Sequence, residues 1–374
     1  MTQHNSNQVF EIVNELATTK SVVLEGPPGT GKTYQVQEIV DELRKRIDAT
    51  SVNNQPIVRT RDSKLPFGSL DTLTNANSEG GLRTEWVTFH ESFTYEEFIL
   101  GRRPEPIAGG VRLVAYAGVL LDLAISVDPK LGKFNAAAVV IDEINRANAG
   151  RVLGEFMTLL DGAYRATIDG LANTHAVSPR LAGLRYEEDG LSEKIVTLDG
   201  QVVRLPIDWL FPENIYVVAT MNSVDKGALP LDSALLRRFK RFYIGPNKEV
   251  LANHIKASAP STDQKTNDLV CSLFVKINEF ILASLGRDQV LGHALFWDVV
   301  REGQCNMASI SRVWDRVIFP QLLDRFIFNT GMLSDLLHRN LDSYDGLIEI
   351  QHVSDWNESD ALSFFRSIVD DNLS

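Results

Sequence analysis

One short stretch limits what this chain can fold into more than any other. Gly26-Pro27-Pro28-Gly29-Thr30-Gly31-Lys32-Thr33 fits the pattern GxxxxGK[ST]. It stands between an apolar run, Ser21-Val22-Val23-Leu24-Glu25, and a helical pattern from Lys32 to about Ile47. A glycine-rich turn between a buried strand and a helix lets backbone N–H groups curl around a β-phosphate. In that setting Lys32 supplies positive charge to the β- and γ-phosphates, and the Thr33 hydroxyl ligates Mg2+. Gly26, Pro27, Pro28, Gly29, Thr30, Gly31, Lys32, Thr33 and Tyr34 are therefore the candidate nucleotide-binding residues.

The rest of the pattern alternates strands with helices. Residues 9–19 have apolar positions at helical spacing, and 86–89 read as a strand. Residues 115–127 and 149–160 read as helices. The most apolar run, 136–141, shows no alternation, as expected of a central parallel strand covered by helices on both faces. It ends in Asp142-Glu143, and a second such run, 215–220, ends at Met221-Asn222. Residues 242–244 are a last strand candidate before Gly245-Pro246. Residues 48–84 are a polar insertion, and 162–212 are irregular, with two short β-like runs around Asp199-Gly200 that signal a hairpin. Beyond 246 the pattern is helical, near 247–257, 265–285 and 309–328. The expected organisation is an α/β core over 1–245, an α-helical lid over 246–335 and an acidic C-terminal extension over 336–374.

Composition removes several alternatives. The 374 residues carry 37 Lys and Arg against 49 Asp and Glu, a formal charge of −12. A surface that wraps nucleic acid unaided needs the opposite balance. Two cysteines, Cys271 and Cys305, and seven scattered histidines without HxH or HExxH make neither a disulfide framework nor a zinc site. No apolar run approaches the ~18 residues that span a bilayer. The polar start, Met1 to Asn7, has no signal-peptide character. The expected location is the cytoplasm.

Three further groups carry chemistry. Asp142, at the end of an apolar strand, can hold the Mg2+ water shell, and Glu143 can polarise an attacking water. Alone, such a pair is more often a solvated loop; some 110 residues beyond a phosphate loop, it reads as a Walker B element. Asn222, at the tip of the next strand, can hydrogen-bond a γ-phosphate or the lytic water, or can be an ordinary turn residue. Arg237-Arg238, followed by Lys240 and Arg241, is either a solvated basic face or the source of a guanidinium that reaches a neighbour's γ-phosphate.

Together these elements resemble the AAA+ superfamily, and finer motifs resemble its McrB group, the GTP-using motors of methylation-dependent restriction. Asp142-Glu143-Ile144-Asn145-Arg146-Ala147-Asn148, then Gly154-Glu155 and Leu159-Leu160, are similar to IDEINRAN…GE…LL. Met221-Asn222-Ser223-Val224-Asp225-Lys226 is similar to MNTADR, followed by Leu231-Asp232 and Arg237-Arg238-Phe239. Phe89-His90-Glu91-Ser92-Phe93-Thr94-Tyr95-Glu96-Glu97-Phe98 resembles FHPSYSYEDF, and Leu291-Gly292-His293-Ala294-Leu295-Phe296 resembles IGHSYF.

The resemblance implies a five-stranded parallel sheet flanked by helices, a β-hairpin insertion and a helical lid. It implies that Glu143, Asn222, Asp225 and one of Arg237 or Arg238 are catalytic. Mg2+ would be held by Thr33 directly and by Asp142 through water, with GTP or ATP as substrate. It further implies a homo-oligomer, a hexamer, driven with a McrC-like nuclease or another effector, with DNA met through that partner. Lys226 stands where the signature has arginine, and a lysine is only a point charge there. The chain begins almost at the AAA+ pattern, so target recognition is expected to lie in a partner, or else the target is not DNA. A MoxR-like ATPase that remodels a protein, and a nucleotide-gated scaffold, are the alternative readings.

Overall fold

The computed structural model describes residues 3–52, 80–167, 170–224, 229, 231–337, 343–344, 347–348 and 352–370. The chain divides into two units. The first is Gln3–Glu25 with Lys32–Tyr243; the second is Gly26–Gly31 with the residues from Ile244 onward.

The first unit is built on a parallel sheet. Its strands are β1 (Ser21–Gly26), β2 (Leu82–Thr88), β5 (Ala136–Asp142), β8 (Ile215–Asn222) and β9 (Lys240–Tyr243), in the order β2-β5-β8-β1-β9. The runs without alternation become the three inner strands, β5, β8 and β1. Their odd-numbered residues, among them Val23, Val139, Ile141 and Val217, join one apolar core. Their even-numbered residues, Val22, Leu24, Val140 and Val218, are buried too. Helices α1 (Gln3–Thr19), α2 (Lys32–Val52) and α4 (Val119–Ser126) pack against strands of the sheet. Strands covered on both faces need apolar residues at every position. The edge strands β2 and β9, LRTEWVT and KRFY, are partly exposed, and their charges keep the sheet from pairing with another edge.

A second sheet corrects one sequence expectation. Residues 115–127, read as one helix, begin as strand: β4 (Gly110–Ala117) pairs antiparallel with β3 (Leu100–Ile107), and α4 starts only after Gly118. A methyl group on Gly118 would lie 2.4 Å from the Phe98 carbonyl carbon, so only glycine admits this corner. Pro104 and Pro106 hide β3 from a propensity reading. They are tolerated because β3 is an edge strand, where a missing N–H leaves no ladder bond unmade. The short hairpin around Asp199-Gly200, β6 (Ile195–Val196) and β7 (Val202–Val203), forms as expected and extends this sheet to β3-β4-β6-β7.

The helix read over 149–160 is also interrupted. α5 (Ala149–Leu153) ends at Gly154, whose φ of +51° breaks it, and Gly154–Leu160 continues as 3-10 turns. Tyr95, on the one-turn helix α3 (Tyr95–Phe98), lies over Gly154 and donates to Glu155 at 2.7 Å. Two of the motifs that resemble McrB thus meet each other and brace the core. α6 (Ser233–Leu236) precedes β9. Most of the polar insertion read over 48–84 lies outside the described residues.

The second unit is helical: α7 (Lys248–Ser258), α8 (Gln264–Leu285), 3-10 turns over His293–Val299, α9 (Met307–Val313), α10 (Phe319–Arg325), α11 (Thr330–Leu337) and α12 (Glu358–Val369). The expected helix over 309–328 contains a π-turn at Trp314–Ile318, just before Pro320. Proline cannot donate to the preceding turn, so the helix widens there. Phe364, Phe365 and Ile368 of α12 join Trp314, Ile277 and Leu251 in this unit's core.

Candidate functional site

Parallel pairing decides which side chains meet in the first unit. β5 and β8 pair with Ile141 opposite Ala219, so the residues just beyond, Asp142-Glu143 and Thr220 to Asn222, emerge side by side at the carboxyl edge. The Thr220 hydroxyl donates to Asp142 Oδ1 and accepts from the Glu143 N–H at 3.1 Å. Asn222 Nδ2 donates to Glu143 Oε1 at 3.1 Å, and Arg146 Nε pairs with Glu143 Oε2 at 2.6 Å. Asn145 Nδ2 donates to the Asn222 carbonyl at 3.0 Å, which ties the two strand ends together. Glu143 itself holds φ 54° and ψ 49°, the left-handed region that a non-glycine residue enters at a cost of roughly 1–2 kcal/mol. That turn swings its carboxylate across to Asn222.

Lys32 opens α2 and is buried. Burial lowers its ammonium to about 8, opposed by the carboxylates of Asp142 and Glu143. The lysine, the two acids and the amide therefore share one electrostatic site. Thr33 and Tyr34 are exposed on the first turn of α2, and the neighbouring Glu38 carboxylate raises the Tyr34 phenol. Asp142 Oδ2 accepts no hydrogen bond among the described residues. With the Thr33 hydroxyl it offers hard oxygen donors of the sort that hold Mg2+ beside phosphate and water, so the residues fit that ion.

Arg237 and Arg238 stand apart from this cluster. No hydrogen bond or ion pair joins them to Lys32, Asp142, Glu143 or Asn222 among the described residues. Arg238 donates back to the Ala234 carbonyl in its own turn, whereas Arg237 is exposed at the end of α6. Asp225 and Lys226 lie outside the described residues.

Thr220 was not singled out by the sequence, because its role depends on the register between β5 and β8. Thr220→Val keeps the shape and removes the hydroxyl, leaving the Glu143 N–H without its acceptor. The expected loss is about 1–3 kcal/mol in chemical denaturation, with a fall in nucleotide turnover measured alongside it.

In the second unit, the loop Gly26–Gly31 lies against Leu291–Leu295. A methyl group on Gly292 would fall 2.1 Å from the Gly29 carbonyl carbon, so only glycine permits the approach. Ala294 N–H donates to Gly29 O at 2.8 Å, and the Thr30 hydroxyl donates to Pro27 O at 3.0 Å. Buried Asn278 clamps Leu291 by both its N–H and its C=O. His293 is 4% exposed, and burial drives its imidazole down to about 4. The free imidazole value is near 6.5. Between pH 6.5 and 4 the unfolded chain binds this proton and the folded chain does not, so stability falls as pH drops through that window, by up to about 3 kcal/mol. Thermal melts from pH 7 to 4 should show this fall, and His293→Phe should flatten its share of it.

Three comparisons bear on the class. The family model described as "AAA domain (dynein-related subfamily)" matches residues 71–239. The chain is 26% identical over 301 residues to the "Type IV methyl-directed restriction enzyme EcoKMcrB subunit" of Escherichia coli (strain K12), covering 78% of this chain and 50% of that protein. It is 24% identical over 245 residues to the "Type II restriction enzyme BsuMI component YdiS" of Bacillus subtilis (strain 168), covering 59% of this chain and 56% of that one. The chain thus spans about half the length of the curated relatives it matches. A solved RuvB mutant of Thermotoga maritima overlays 93% of this chain and 87% of its own at 14% identity, with a TM-score of 0.33, too loose an overlap to argue from.

A parallel five-stranded sheet, a phosphate-type loop between β1 and α2 and the AAA-domain match define the class: an α/β P-loop NTPase core. Within that class the chain resembles the McrB-like AAA+ NTPases. Nucleotide hydrolysis is the activity this class implies. No helix among the described residues is long and apolar enough to cross a membrane.

Proposed function

We propose that this chain is the nucleotide-hydrolysing motor of a restriction or anti-phage defence system. It acts as a homo-oligomeric ring, a hexamer, and drives a McrC-like nuclease or other effector. The observation that carries the reading is the Glu143 carboxylate held by Asn222 and Arg146 beside Asp142 and Lys32. In this reading Gly26–Tyr34 bind the phosphates of GTP or ATP, and Lys32 meets their negative charge. Glu143, oriented by Asn222, takes the proton of the attacking water, an arrangement suited to general-base work. Mg2+, held by Thr33 and through water by Asp142, would supply charge neutralisation at the phosphates. By the same resemblance Asp225 takes part in hydrolysis, and Arg237 or Arg238 serves a neighbouring subunit. Core, lid and acidic extension divide at residues 245 and 335.

The charge of −12 favours DNA contact through the partner rather than by this chain. The relatives' names, a restriction-enzyme subunit and a restriction-enzyme component, support a partner-dependent role. GTP and ATP turnover measured side by side, with and without the product of the adjacent gene, tests this. Stimulation by that product supports the motor reading; turnover indifferent to any such partner and to DNA removes the defence role.

A further inference from the structure

His293 holds one hydrogen-bond donor that the fold leaves without a partner, and the fold aims it at the phosphate loop. The Asn247 N–H donates to His293 Nδ1 at 3.3 Å. A nitrogen that accepts carries no proton, so the neutral ring is the Nε2–H tautomer. Nε2 has no hydrogen-bond partner among the described residues. It faces the open side of Gly31: a methyl group there would lie 3.5 Å from Nε2. Nothing about this placement is loose. Asn278 fixes Leu291, Gly292 abuts Gly29, and Ala294 bonds the Gly29 carbonyl, so the ring is held from both chain directions.

A ring N–H without a protein partner is free to donate to a ligand, and a phosphate oxygen is a strong acceptor for it. The glycines of such a loop curl around the β-phosphate. We propose that the Nε2–H of His293 is a phosphate-binding donor, completing the Gly29–Gly31 cradle for the α- or β-phosphate of a nucleoside di- or triphosphate. This rests on the nucleotide-binding reading above and adds to it a residue far along the chain. A neutral donor suits the task, since it adds a hydrogen bond to phosphate without adding charge. Because the contact falls on the inner phosphates, it serves diphosphate and triphosphate alike.

The test measures binding of GDP, ADP, GTP and ATP with Mg2+ to the full chain. Lys32→Ala serves as the control for the loop, and thermal melts check the fold. His293→Phe fills the ring's volume without a donor, whereas His293→Gln keeps a donor near Nε2 and gives up the Asn247 contact. The expected result is about tenfold or weaker binding of both di- and triphosphates by the Phe variant. The Gln variant should stay much closer to wild type. A purely structural histidine gives the reverse order, and that order overturns the proposal. So does wild-type-like binding by His293→Phe while Lys32→Ala loses it. If the wild-type chain binds none of the four nucleotides, the nucleotide-binding reading itself falls, and this proposal with it. A second measurement needs no variant. In 15N-histidine-labelled wild-type protein, the His293 Nε2 resonance should be protonated and should shift on saturation with Mg2+ and GDP or ADP; an unmoved resonance under saturation overturns the assignment.

Discussion

Glu143→Gln is expected to bind nucleotide as the wild-type chain does and to hydrolyse it roughly 10²- to 10⁴-fold more slowly, the range typical of a lost general base. Glutamine has nearly the same shape and can keep the Asn222 contact through its carbonyl oxygen. What it loses is a group able to take a proton as water attacks. Lys32→Ala should behave in the opposite way and lose binding, because Lys32 meets phosphates already present in the ground state. Equilibrium binding and steady-state phosphate release, measured on the same preparations, separate the two. Near-normal turnover in Glu143→Gln would remove the base role and leave Glu143 as a structural partner of Asn222 and Arg146.

The second large effect concerns the arginines. Arg237 is exposed at the end of α6 and has no bond to the acidic cluster among the described residues, while Arg238 is tied back to Ala234. That contrast favours Arg237 as the residue delivered to a neighbour. An arginine supplied in trans is worth about 10³-fold or more in rate, because it neutralises charge that develops in the transition state. Arg237→Ala should therefore bind nucleotide with little loss and turn over some 10³-fold more slowly. Turnover per chain should rise steeply with protein concentration as rings form. Mixing Arg237→Ala with Glu143→Gln should restore part of the rate, since a mixed ring contains sites with one intact base and one intact finger. Turnover per chain that stays constant down to a demonstrated monomer contradicts delivery in trans.

How much of this was legible before the structure depended on the range of the contacts involved. Strands β1, β5 and β8 were readable because burial on both faces writes a continuous apolar run into the sequence. The loop Gly26–Thr33 was readable because a phosphate cradle needs its glycines at fixed offsets. β3 and β4 were not readable: Pro104 and Pro106 argue against a strand, and only the edge position makes them harmless. Thr220 looks like one more residue of an apolar run until β5 pairs beside it. His293 lies more than 260 residues beyond Gly31, and no local pattern announces that Gly292 will abut Gly29. The C-terminal stretch drew notice for its acids, and Asp355, Glu358 and Asp360 are indeed exposed. Its apolar stripe, Ala361, Phe364, Phe365 and Ile368, is what joins it to the second core.

The most direct measurement is phosphate release by the purified chain with Mg2+, using GTP and ATP in parallel over a concentration series, with Lys32→Ala as the blank. The predicted result is turnover of at least one of the two nucleotides, rising with protein concentration and absent in the blank. Contradiction would be release no greater than the blank with both nucleotides, at concentrations where the chain is assembled and with the adjacent gene's product present.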